Sequence, residues 1–226
     1  SARSSPSSPP PPSTPSTPDT PAPSTYTKTL TANIDVYADG YTVTAIGPKA
    51  FYNFKNLTEV TIPSTIKSMG KNAFMNCTGM TKINITDLKA WCEMERFGAL
   101  ASPMIYAKKL YLNGALVEGN VTIPEGTKAI TQGAFYSCKD IKNVTLPNTV
   151  TYIGESAFDG CEYLASINIP NSVTEIGDWA FTGCKRLGSI SIPSSVTKIG
   201  EGTFYYAQWL ETIDLPDTIT YIGPSA

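Results

Sequence analysis

The sequence contains no histidine. That absence removes the imidazole base of Ser-His-Asp and Cys-His nucleophile systems, the HExxH zinc site and every zinc finger with a histidine ligand. Long apolar runs are missing as well: none approaches the roughly 18 to 20 residues needed to cross a bilayer. The chain opens SARSSPSS, with neither a Met nor a charged-then-apolar leader, so any signal or anchor is expected outside these residues. Charge of one sign is also scarce. The 17 Lys and Arg are set against 19 Asp and Glu, a net charge of -2 with no long basic or acidic block, which points away from nucleic acid and anionic membranes. What remains, 226 residues that are 41% apolar, suffices for one core of moderate size plus a tail.

The tail is residues 1–25. Nine Pro and twelve Ser or Thr fill it, and its only apolar side chains besides proline are two alanines, so burial cannot offset the entropy of ordering it. An extended, disordered Pro/Ser/Thr-rich stalk or linker is expected, of the kind that holds a domain away from a wall or membrane; a low-complexity terminus without a role is the alternative. Residues 26–226 are expected to form the folded domain.

That domain repeats itself. IGPKAFYNF at 46–54, MGKNAFMNC at 69–77, IGESAFDGC at 153–161 and IGDWAFTGC at 176–184 are near copies, and Phe135, Phe158, Phe181 and Phe204 recur every 23 residues, as do Phe51 and Phe74. Ile62 to Ile85 keeps the period, as does the series Ile123, Leu146, Ile169, Ile192 and Leu215, but Ile85 to Ile123 is 38, so one unit is lengthened by 15. The unit reads L-x-x-I-x-I-P-x-S-V-T-x-I-G-x-x-A-F-x-x-C-x-x. Alternation such as Leu164, Ile167 and Ile169 predicts short half-buried strands at 57–62, 80–85, 121–123, 141–146, 164–169, 187–192 and 210–215. Pro63, Pro124, Pro147, Pro170, Pro193 and Pro216 end them, because proline cannot donate to a ladder. Gly47, Gly70, Gly154, Gly177, Gly200 and Gly223 are expected at a corner needing either a special backbone conformation or a close approach that a Cβ would block. One 23-residue loop cannot enclose a core, so the loops must stack, each Phe on the next. Burying a ring is worth about 1.5 to 3 kcal/mol.

The lengthened unit, about 86–120, also predicts structure. Thr86 or Asp87 can cap a short helix whose Leu88, Trp91 and Cys92 share a face, and Asn113-Gly114 inside 110–117 is a strong hairpin signal. The end of the chain, Tyr221 to Ala226, matches Ile46-Gly47-Pro48-Lys49-Ala50 just before Phe51, so the last repeat is expected to be truncated and the natural chain to continue.

These phrases closely resemble the BspA-type leucine-rich repeat of bacterial and protist surface proteins, most completely in SVTEIGDWAFTGCKRLGSISIP at 172–193, and the resemblance covers 42–226. It implies an α/β repeat solenoid, a right-handed stack with a parallel β-sheet on one face and one helix-plus-hairpin insertion. Residues 85–126 resemble the lengthened repeat of the same proteins.

Four of the five cysteines, Cys77, Cys138, Cys161 and Cys184, share one repeat position. Stacked turns place such residues in a row about 4.8 Å apart, and a row cannot surround a tetrahedral ion. Parallel Cβ vectors likewise oppose disulfides, so buried free thiols are expected, Cys92 included. Glu155, Asp159, Glu175 and Asp178 cluster in sequence but fall at variable positions read as a solvated face rather than a glycosidase pair. Sequons at Asn56, Asn76, Asn84, Asn120 and Asn143 are read chiefly as a by-product of threonine-rich strands. No metal or other cofactor is expected.

The candidate binding face is the outward strand column Thr61, Asn84, Thr122, Thr145, Asn168, Ser191 and Asp214, with Glu59, Lys82, Asn143, Ser166, Ser189 and Thr212 beside it. Exposed aromatics, Tyr136, Trp179, Tyr205, Tyr206 and Trp209, are candidate anchors. A histidine-free stack behind a stalk reads as a non-enzymatic, monomeric binding module at the cell surface or secreted, taking a protein or glycan partner and touching a membrane only through an anchor outside this chain. The resemblance adds adhesion to host matrix proteins or other cells. A passive spacer for a further domain, or a carbohydrate-active enzyme, are the alternatives.

Overall fold

In the computed structural model, residues 30–33, 37–38, 41–98 and 101–226 are described, with side chains from residue 42 onward. The stalk predicted over 1–25 lies outside the described residues.

The 23-residue units stack as a parallel-sheet solenoid. Strands Leu57–Ile62, Lys82–Ile85 and Leu110–Leu112 pair in parallel, as do Gly119–Thr122, Ile141–Thr145 and Ser166–Asn168, and Ser189–Ser191 pairs with Thr212–Asp214. Register equals the sequence period between regular units, as where Val144 faces Ile167 and Ile190 faces Ile213, while Ile83 faces Leu110 where the chain enters the lengthened unit's hairpin. The strands predicted over 164–169, 187–192 and 210–215 are each three residues shorter, two at the start and one at the end; their first positions pair instead through single hydrogen bonds such as Ala165 N to Lys142 O, 2.7 Å. Leu30–Asn33 precedes the recognised repeats yet pairs in parallel with Leu57–Ile62.

A second ladder of two-residue strands runs along the I-G corners, for example Ala129–Ile130, Tyr152–Ile153 and Glu175–Ile176. The glycines there serve close approach alone. Gly154 N–H donates to Ile130 O at 2.7 Å, and an added Cβ would lie 2.6 Å from the Gln132 nitrogen. Gly47 has nothing within 4 Å of such a Cβ and is the exception to the predicted role.

Most left-handed residues lie elsewhere, in two columns flanking the A-F pair. Lys49, Asn72, Gly133, Ser156, Trp179, Gly202 and Ser225 form one, with φ between 50° and 60°; Asn53, Asn76, Ser137, Gly160, Gly183 and Tyr206 form the other, between 55° and 71°. They turn alternate N–H groups toward the next unit, as in Gly133, Phe135 and Ser137 donating to Glu155, Ala157 and Asp159 at 2.6–3.0 Å. The A-F turn is therefore a third hydrogen-bonded ladder, with Phe directed inward.

Those rings form the spine. Phe135 to Phe158, Phe158 to Phe181 and Phe181 to Phe204 stack at 5.3, 5.6 and 5.9 Å with planes within 7°, and Phe51 stacks on Phe74 at 4.8 Å. Serine and threonine of the S-V-T segment close the remaining carbonyls: Thr149 and Ser172 hydroxyls donate to Thr127 O and Val150 O at 2.8 and 2.7 Å.

Both described helices belong to the lengthened unit, so the α part of the expected α/β character is confined to the insertion. Helix α1, Leu88–Glu93, starts at Asp87, whose Oδ1 accepts from Ala90 N at 2.7 Å, and it buries Leu88, Trp91 and Cys92. Helix α2, Met104–Ala107, follows, then the hairpin Leu110–Leu112 with Ala115–Leu116, turning through Asn113 (φ 49°) and Gly114 (φ 85°). Buried Arg96 clamps the carbonyl end of α1: its guanidinium donates to Trp91 O at 3.1 Å and Met94 O at 3.0 Å and lies 4.3 Å from the Trp91 ring. Burial lowers its pKa to about 10.

Candidate partner-binding surface

The predicted sheet column is in place. Thr122, Thr145, Asn168, Ser191 and Asp214 are all exposed, and register aligns Thr122 with Thr145 and Asn168, and Ser191 with Asp214. Much of its hydrogen-bonding capacity is spent within the face. Asn168 accepts from Leu146 N at 2.9 Å and donates to Leu146 O at 3.3 Å, while Ser191 donates to Asp214 Oδ2 at 3.0 Å. The neighbouring column does the same: Asn143 donates to Asn120 Oδ1 and accepts from Ser166, each at 2.6 Å, and Lys82 pairs with Glu59 at 2.9 Å. Asn76 donates to Asn53 and Asn84 accepts from Gly114 N, each at 2.8 Å, so four of the five sequon side chains are already engaged in the stack.

The A-F turns of the C-terminal units differ. Trp179 and Tyr206 occupy left-handed positions where other units carry Gly, Asn, Ser or Lys, and are the only aromatics in those two columns among the described residues. A bulky residue there costs about 1–2 kcal/mol. Around them the rings cluster: Tyr205 meets Trp179 edge-on at 5.9 Å and Tyr206 at 4.2 Å, and Tyr206 is 62% exposed, whereas Trp179, expected to be exposed, is half-buried with its ring against Gly202. Tyr136, one position after Phe135, is half-buried instead and packs against the core.

One turn further along the chain, Tyr163, Arg186 and Trp209 stand 23 residues apart in one column. The Arg186 guanidinium lies 4.9 Å from the Tyr163 ring and 5.3 Å from the Trp209 ring. Backbone bonds from Arg186 N to Glu162 O and Trp209 N to Lys185 O, 3.2 and 3.0 Å, set this spacing. Beside it Glu162 bridges Lys139 at 2.6 Å and Lys185 at 3.5 Å, and the Lys139 hydrogen bond holds the Glu162 carboxyl below its usual range. Tyr163 and Arg186 were not separated from the repeat background by sequence reasoning; the signal available was an aromatic, a cation and an aromatic at three successive periods.

Glu155, Glu175 and Asp178 are exposed as expected and line a cavity of about 570 Å³ with Tyr152, Lys198 and Tyr221. Asp159 departs from the expectation. It is half-buried beside the Phe158 turn, and burial raises its pKa to about 6, against a weaker opposing bond from Ser156 at 3.4 Å. All five cysteines are buried and free. Three donate S–H to the phenylalanine carbonyl of the preceding unit, Cys77 to Phe51, Cys161 to Phe135 and Cys184 to Phe158, at 2.9–3.3 Å, so they add a bond to their apolar role. Burial pushes every one of these thiols up, which keeps them unreactive.

Parallel strands in one-period register, an inward phenylalanine spine and proline-ended units define a leucine-rich-repeat solenoid. The chain belongs to the BspA type leucine rich repeat region family, whose pattern matches residues 26–97 and 111–226 in six copies. The match begins earlier than 42 and omits 98–110, within the insertion. A leucine-rich repeat protein from Bacteroides ovatus is 28% identical, with 86% of this chain and 48% of that one covered at a TM-score of 0.52. A leucine rich cell surface protein from Faecalibacterium prausnitzii is 25% identical, covering 85% and 65% at 0.46. The pneumococcal vaccine antigen PcpA, 18% identical over 83% and 59% at 0.50, shares the fold. This chain spans about half to two thirds of those proteins' lengths. No curated protein matches it. Among the described residues no helix is long and apolar enough to cross a membrane.

Proposed function

We propose that this protein is a non-enzymatic, monomeric adhesion module, secreted or displayed on a bacterial cell surface, that binds a host, matrix or cell-surface protein through the flank of its C-terminal units. The observation that carries this reading is the concentration of exposed aromatics there, Tyr205, Tyr206 and Trp209, around a half-buried Trp179, with Tyr206 and Trp179 held in backbone conformations that glycine would adopt without strain. Strain of that kind persists where the side chain is needed, and Tyr, Trp and Arg dominate interface hot spots. The sheet column from Thr122 to Asp214 supplies polar rim contacts, its hydroxyls and amides being already partly paired. Family membership and the surface description of the Faecalibacterium protein support display outside the cell.

The test is attachment of the purified chain to immobilised matrix proteins, mucins and cultured cells, beside a variant carrying Trp179→Gly, Tyr205→Ala and Tyr206→Gly. Binding by the parent and its loss in the folded variant is the expected result. Failure of the parent on every surface overturns the reading.

A further inference from the structure

The arrangement around Arg186 carries more than a hot-spot composition. A cavity of about 360 Å³ opens beside the Tyr163–Arg186 contact, lined by Lys142, Asn143, Tyr163, Ala165 and Arg186. Its lining holds two cations and no carboxylate. Among the described residues the Arg186 and Lys142 side chains make no hydrogen bond or ion pair; the guanidinium instead lies over the Tyr163 and Trp209 rings. The two rings, one from each neighbouring turn, restrict the guanidinium and leave its N–H groups without a protein acceptor. A planar guanidinium ordered before binding recognises a carboxylate through two parallel bonds at reduced entropic cost.

From this geometry we infer that Arg186, clasped by Tyr163 and Trp209, is an anion receptor for an acidic segment of the protein partner, one of whose carboxylates seats on the guanidinium edge with Lys142 Nζ beside it. Two further cavities, of about 520 and 380 Å³, adjoin at Tyr163, but Glu118 and Asp140 line them beside Lys108, Lys109 and Lys139, and Lys139 is paired with Glu162, so the carboxylate-free anion site is confined to Arg186 and Lys142. The chain as a whole is weakly negative, so the attraction is local and short-ranged.

The inference rests on the flank being the binding surface, and it is tested on the intact chain with a defined probe: a short fluorescent peptide alternating Glu and Gly, its Gln counterpart, and heparin. Anisotropy titration is expected to show binding to the Glu peptide alone, weakened by added salt. Arg186→Gln should lower affinity about tenfold or more. Arg186→Lys should restore only part of it, because the charge returns without the fork; Trp209→Ala should resemble Lys. Glu155→Gln, in the acidic cavity, should change nothing. Equal affinity for the Gln peptide, or no loss in a folded Arg186→Gln, overturns the inference. So does tighter binding of heparin, which would make the flank a polyanionic-glycan site, or sedimentation showing that Arg186 instead drives association between copies of the chain. Peptide binding without attachment to any surface overturns the adhesive reading alone; attachment unaffected by Arg186→Gln overturns this one alone.

Discussion

The regular units and the lengthened one solve the same packing problem by different means. In Phe135 to Phe204 each ring meets its equivalent in the next turn, so a single residue type at one spacing closes the core. Between Phe74 and Phe135 that series is interrupted, and the lengthened unit contributes Trp91, Met104 and Cys92, all fully buried, in its place. Trp91 Nε1 donates to Ala134 O at 2.8 Å, and Cys92 O accepts from Thr131 N at 2.8 Å, so the helix hands the hydrogen-bonded stack on to the next turn. Repetition makes each regular position inexpensive to specify, whereas the insertion depends on individual polar contacts without a second copy.

The largest effect should come from the spine. Phe158→Ala removes a ring stacked on both sides and should cost about 3–5 kcal/mol in chemical denaturation; a cost near that of a surface change would mean the column is not the source of cohesion. Trp91→Phe keeps an aromatic in the insertion but orphans the Ala134 carbonyl and loosens Arg96, for about 1–3 kcal/mol. If it proved silent, the insertion would be as tolerant as a regular turn.

Asp159 tests the regular units for internal imperfection. Its folded pKa, about 6, lies above the ordinary 3.8, so the folded state holds its proton more tightly than the unfolded chain. Stability should therefore fall as pH rises from about 4 through 6, by roughly 1–2 kcal/mol after allowing for solvent screening. Asp159→Asn should flatten that slope, raising stability at neutral pH and leaving it unchanged in acid. Smallest is Trp179→Gly, which should stabilise the fold by up to about 1 kcal/mol through relief of the left-handed strain, while weakening attachment. A destabilised variant would show that Trp179 serves packing instead.

Much of the architecture was legible because stacking imposes one constraint repeatedly: the period, the phenylalanine column, the proline stops and the row of thiols all follow from 23-residue spacing. The Asp87 cap and the Asn113-Gly114 turn were equally readable, being local backbone chemistry. The binding flank was only partly so. Tyr205 and Trp209 stood out as exposed aromatics, Trp179 proved half-buried, and Arg186 between Tyr163 and Trp209 did not stand out, since neighbours in that column are 23 residues apart in sequence. Nor did the glycine pattern reveal that Trp179 and Tyr206 sit where the backbone is left-handed, as the I-G glycines drew attention to a corner where φ is ordinary.

The order of residues by itself determined the repeat, its inward face and the sites of turning, because these depend on spacing and on intrinsic backbone preference. Which outward side chains satisfy one another, as in the Asn168 and Ser191 pairs, and which are left with free donors, as at Arg186, was decided only by the stacked structure, since that depends on what the adjacent turn brings within hydrogen-bonding reach.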